Sequence, residues 1–231
     1  MRTDDGVSRG VLASAALVLM LALPQQAAAQ VKRDAGSPPA GASGVMATAQ
    51  AKVDGFRAAK FGMTEAQVKA AVMKEFNLKA DAIREQPNPG ERTKAMVVKV
   101  PDLLPGGGGA EVSYIFGYQS KKLIQVSISW SKATDDKMTP EQLFSNSSVL
   151  RAHFLGEGFK PESIASNMPV SGGILMFRGS DAQDHSVILI LQGTMAQGAN
   201  NQRVLTPTGL LLFYVEDAKT PDVYRLPRGS F

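Results

Sequence analysis

The chain of 231 residues has no cysteine, one tryptophan and two histidines. The missing thiol excludes disulfides, thiolate nucleophiles, cysteine-ligated metal and a lipid-modified cysteine at the head of a mature chain. Two histidines leave little room for imidazole chemistry. His153 lies one residue before Phe154 at the edge of an apolar stripe, and His185 follows Asp184 at the start of a strand-like run. Neighbours on a strand point to opposite faces, so Asp184 is poorly placed to orient His185 as the acid of a serine triad would. The single Gly-x-Ser-x-Gly match, Gly6 to Gly10, lies ahead of the first apolar run and is no strand-to-helix elbow, and no His-x-x-x-His pair occurs. The glycines at 106–109 and the "GEG" at 156–158 lack the Lys-Ser/Thr that completes a phosphate loop. "SWSK" (129–132) has Ser-x-x-Lys spacing, but it closes a strand, whereas that chemistry needs a helix start to set Lys one turn from Ser. These absences give a reading with no catalytic residue, no metal ligand and no cofactor.

Long apolar runs are also scarce. "VLASAALVLMLAL" (11–23) is 13 residues long, short of the about 20 that a membrane-spanning helix needs. Pro24 ends it, and "AAA" at 27–29 supplies small residues for a signal peptidase. The pattern predicts a secretory signal peptide over 1–29, cleaved after Ala29. With no second such run, the expected product is periplasmic or secreted, with no transmembrane segment in the mature chain. Residues 30–53 are rich in Ala, Gly, Ser and Pro and read as a flexible linker.

What is present begins with "FGMTEAQV" (61–68). Thr64 and Gln67 have capping-box spacing, and Met63 with Val68 has the spacing of a hydrophobic staple. Val68, Ala71, Val72 and Phe76 continue as an apolar stripe of helical period. "KMTPEQL" (137–143) repeats the construction with Met138, Thr139, Gln142 and Leu143, and Pro140 takes the first helical position. Leu143, Leu150 and Phe154 extend its stripe until Gly156 and Gly158. Each helix precedes three runs of β-branched and aromatic residues. These are 94–100, 110–118 and 123–130 after the first, and 173–179, 185–192 and 209–216 after the second. The expected fold is therefore α+β, with two tandem helix–strand–strand–strand units, 54–133 and 134–231. Two amphipathic helices would pack on one face of an antiparallel sheet through Val68, Val72, Phe76, Leu143, Leu150 and Phe154.

The "GMT-x-x-x-V" helix start resembles that of the small outer-membrane assembly lipoproteins, the SmpA/OmlA or BamE family. The doubled helix-plus-sheet arrangement resembles the tandem-repeat β-lactamase inhibitor protein family. The likeness covers about fifteen residues at 61–76 and, more weakly, 137–150. It implies a cell-envelope setting and a protein partner. The chain lacks the lipidated cysteine of the first family and the disulfides of the second, and no functional residue carries over from either.

Charge is unevenly spread. The formal net charge is +4, but residues 30–132 carry 15 Lys and Arg against 9 Asp and Glu, and residues 133–231 carry 8 against 10. A modestly basic half suits an anionic surface or an acidic partner. Its basic residues are scattered singly, which gives no support to nucleic-acid binding. The sequence thus points to a non-catalytic periplasmic binding or envelope-assembly module with an envelope protein as partner. Tyr114, Tyr118 and Trp130 on the sheet are its candidate binding residues. An envelope hydrolase with Ser or His chemistry is one alternative. The other is a small-ligand carrier that uses the long 193–209 segment as a lid.

Overall fold

A computed structural model describes residues 50–197, 203–227 and 229–230. The expected signal peptide and most of the expected linker lie outside these. Ala51 and Val53, assigned to the linker by composition, are buried. The Ala51 N–H donates to the Gly158 carbonyl and the Val53 N–H to the Asp181 carboxylate, so ordered packing starts at least as early as Ala51.

Two short strands open the described chain, β1 (Gly55–Phe56) and β2 (Ala59–Lys60), which pair as a two-stranded sheet. Helix α1 (Glu65–Glu75) follows. Next come strands β3 (Arg84–Asn88), β4 (Thr93–Val100), β5 (Ala110–Phe116) and β6 (Leu123–Ser131). Helix α2 (Pro140–Gly156) leads to β7 (Met168–Val170), β8 (Gly173–Ser180), β9 (Ser186–Gln197) and β10 (Arg203–Val215). Strands β3 to β10 form one antiparallel sheet in the order β3-β4-β5-β6-β10-β9-β8-β7. The two halves meet where Leu210, Leu212 and Tyr214 of β10 stand opposite Trp130, Ile128 and Val126 of β6.

The α+β expectation needs correction. The protein is mostly β, with eight strands in one sheet and two more in a small one. Neither half is a helix followed by three strands, because each places four strands in the large sheet. The two unforeseen strands are the edges. β3 reads "REQPN" and β7 reads "MPV", with no alternation and a single β-branched residue, Val170, between them to mark them. Each carries a proline, Pro87 or Pro169, which limits an edge as a template for further pairing. The described part of the 193–209 segment is strand rather than loop. Its described residues extend β9 and β10 into a hairpin arm, with Gln197 opposite Arg203 and Thr194 opposite Thr206. Gly193 and Pro207 disguise these strands in the sequence.

The helices are not amphipathic in the expected sense. The Thr64 hydroxyl accepts from the Gln67 N–H, and the Gln67 side chain accepts from the Thr64 N–H, which closes the box at the start of α1. Within α1, however, only Val68 and Val72 are buried, and Phe76 is half-buried at its end. α2 contacts β8, β9 and β10. Its inward side carries Asn146 and Ser147 beside Leu143 and Phe154, while Phe144 and Val149 are more than half exposed. The second cap is half a box. Gln142 receives no bond from its cap residue. Its amide instead donates to the Gly106 carbonyl and to Asn146, and Asn146 donates to the Gly107 carbonyl. The glycines at 106–109 are thereby pinned to α2.

The main core lies on the helix-bearing side of the sheet. Its largest fully buried side chains include Trp130, Tyr114, Phe177 and Met96. Alternate residues of the same strands face the other way. Leu175, Ile190, Leu211, Phe213 and Val215 form a second cluster there that contains no helix residue.

Candidate binding site beneath the C-terminal strap

The candidate binding residues separate sharply. Tyr114 and Trp130 are each 1% exposed and belong to the core cluster, so neither offers a surface to a partner. Burial also pushes the Tyr114 phenol pKa well above its ordinary value, with smaller effects from Arg57 and Glu75. The Trp130 indole N–H meets no acceptor among the described residues. Tyr118 is different. It lies just past β5, half-buried, where the chain's last segment crosses two hairpin turns.

That segment follows β10. Asp217 turns the chain by accepting from the Lys219 and Thr220 N–H groups at 2.8 Å and from the Thr220 hydroxyl. The strap then runs over the β5–β6 turn, residues 117–122. The Asp222 carboxylate accepts from the Gln119 and Ser120 N–H groups at 2.9 and 2.8 Å. The Tyr118 N–H donates to the Asp222 carbonyl at 2.8 Å. One side chain thus satisfies a turn that lies about a hundred residues earlier in the chain. Burial raises the Asp222 pKa, but hydrogen bonds from Ser120 and Gln119 and the charge of Lys121 outweigh it and hold the group below the ordinary 3.8. Further on, the Tyr224 N–H donates to the Glu91 carbonyl at 2.9 Å. This ties the strap to the β3–β4 turn as well.

Tyr118 and Tyr224 meet edge to face, with ring centres 5.6 Å apart. The Arg92 guanidinium lies 3.7 Å from the centre of the Tyr224 ring and 5.8 Å from that of Tyr118, and donates to the Tyr118 hydroxyl at 3.4 Å. Lys121 Nζ is 5.2 Å from the Tyr118 ring centre. Beside the tyrosines is a cleft of about 390 Å³, lined by Tyr118, Gln119, Thr220, Pro221, Val223, Tyr224 and Arg225. Nearby, burial raises the Glu91 carboxyl and Arg225 partly offsets it. A cleft of this size with a few fixed polar groups is of the kind that holds small ligands or a protruding side chain.

A second cleft, of about 480 Å³, is lined by residues that include Lys99, Lys132, Asp135 and Asp136. Asp135 there accepts from the Gly109 and Lys137 N–H groups, which fixes the chain ahead of α2.

The histidines stand apart from both clefts' linings. Asp181, not Asp184, is the carboxylate of His185. Asp181 is 1% exposed and accepts from the Val53, Gln183 and His185 N–H groups, with His185 Nδ1 3.6 Å from its oxygen. The same Nδ1 is 2.6 Å from the Val53 carbonyl. A carbonyl only accepts, so Nδ1 carries the hydrogen. The network anchors the first described residues to the β8–β9 turn. Asp184 instead holds Lys160 and Lys219. His153 is exposed beside Glu157 on α2. Among the described residues neither histidine is bonded to a side-chain hydroxyl, and no three His, Asp or Glu side chains form a group that could hold a metal ion. No described helix is long and apolar enough to cross a membrane.

Of the strap cleft, the sequence marks only Tyr118. Tyr224, Arg92 and Arg225 carry no local signal. The nearest is "TPDVYRLP" (220–227), an aromatic and a cation between prolines, a pattern of extended chain that does not say what it folds against. No family model, curated protein or solved structure matches the chain.

Proposed function

We propose that this protein is an exported, non-catalytic binding module of the cell envelope, and that the cleft beneath the C-terminal strap is where it engages an envelope partner. The observation that carries this reading is the Tyr118–Tyr224 pair with Arg92 over it. Tyrosine and arginine are the side chains that most often anchor interfaces. Here they stand at the surface beside a cleft and are held in place by the strap's long-range hydrogen bonds. The export part rests on the apolar run at 11–23 and the small residues at 27–29.

The test is capture from crosslinked intact cells. An affinity tag placed directly after Ala29 remains with the mature chain. Wild type is compared with the double variant Tyr118→Ala, Arg92→Gln and with Trp130→Phe. The expected result is one envelope component retained by wild type and Trp130→Phe and lost from the double variant. Equal capture by all three contradicts the assignment of the site.

A further inference from the structure

Given a binding role for the strap cleft, its charges define the ligand further, and we propose that it takes an oxyanion, the carboxylate or phosphate group of the bound partner. Arg92 is stacked on Tyr224 at 3.7 Å. Stacking covers the guanidinium's face and leaves its N–H edges available. One edge reaches the Tyr118 hydroxyl, and the rest of the fork is open for the paired oxygens of a carboxylate or phosphate. Lys121 flanks the same tyrosines, and Arg225 lines the cleft.

None of these three cations has a carboxylate within 4.0 Å among the described residues. Elsewhere such pairing is common, with Lys60, Arg84, Lys94 and Lys160 all engaged. The neighbouring acids are already committed. Both Asp222 oxygens accept backbone N–H groups, and Glu91 accepts from the Asn88 amide. Among the residues that line the cleft Arg225 is the one charged side chain, so the lining is net positive. The other cleft sets Lys99 and Lys132 against Asp135 and Asp136 and has no such excess.

The experiment uses the exported protein purified from cells, labelled with ¹⁵N. Amide shifts are followed on addition of sodium phosphate and, separately, sodium acetate, each against sodium chloride at equal ionic strength and pH. The expected result is saturable shifts at the amides of 118–122 and 222–225. Arg92→Gln, and Lys121→Gln as a second variant independent of the stack, weaken them at least tenfold without lowering the thermal midpoint. Saturation by phosphate alone assigns a phosphate group, and saturation by acetate alone a carboxylate. Shifts no different from chloride, or variants that bind as wild type does, overturn the proposal. A partner captured through the strap together with absent oxyanion binding overturns the anion assignment and leaves the binding role standing.

Discussion

Trp130 fills the core without using its polar atom. Its indole is 1% exposed, and the N–H has no acceptor among the described residues. Trp130→Phe should therefore cost far less than Trp130→Ala, for which truncation of a large buried ring predicts a loss of about 3–5 kcal/mol. Urea unfolding measures both, and equal losses would show that the indole is held by something other than packing. Tyr118 gives the opposite expectation. Tyr118→Ala should cost only about 1 kcal/mol, the usual worth of an aromatic pair, and act chiefly on the proposed binding. Sequence alternation places Tyr114, Trp130 and Tyr118 alike on or beside strands. Alternation says that successive residues face opposite sides, but not which side is covered. The two buried aromatics point toward the helix-bearing side, and Tyr118 stands past the end of β5. Arg92 and Tyr224, its companions, lie 26 and 106 residues from it in the chain, and no spacing rule brings them together.

At the β5–β6 turn the strap is held by the Asp222 carboxylate and one backbone bond, and the part of its hold that varies with pH should follow the carboxylate. Asp222 has a folded pKa below 3.8, so its contribution is complete above that value and fades as pH falls through the lower folded one. Glu91 works in the opposite sense. Its raised pKa means that the cost of burying its charge is relieved on acidification, so the release attributed to Asp222 should be read against Glu91→Gln. Limited proteolysis by pepsin across pH 2–5 should show cleavage within 217–227 appearing only below about pH 4, with Asp222→Asn cleaved throughout. Gly117 offers an independent check, because a Cβ there would collide with the Asp222 carboxylate and the Ser120 hydroxyl. Gly117→Ala should free the strap at neutral pH while the sheet stays folded by circular dichroism, and an intact strap in that variant would refute the latch. At the start of α1, Thr64→Ala should cost about 1 kcal/mol, the usual worth of a helix cap. Both cap threonines are legible because capping is local chemistry. The reciprocal bond of the second cap is not, since Gln142 is drawn away by Gly106 and Asn146, a contact that only tertiary structure creates.

At the scale of the whole molecule, one sheet joins both halves through β6 and β10. Six of its strands are legible from β-branched and aromatic runs. The edge strands β3 and β7 are not, because half of each pairing surface faces solvent and polar residues and proline are tolerated there. The same openness explains why the fold is mostly β where the sequence suggests α+β: helices announce themselves by caps and period, whereas short edge strands announce nothing. The proposed binding site depends on this architecture, since the β3–β4 and β5–β6 turns stand side by side at one end of the sheet and the strap from β10 crosses both. The most direct measurement is site-specific photocrosslinking in living cells. A photoreactive residue is placed at Gln119, which lines the cleft, and in a separate strain at Ser148 on the exposed side of α2. The account predicts a discrete crosslinked product from position 119, lost when Arg92→Gln is added, and none that depends on Arg92 from position 148. Products from 148 alone, or a product at 119 indifferent to Arg92, would contradict it.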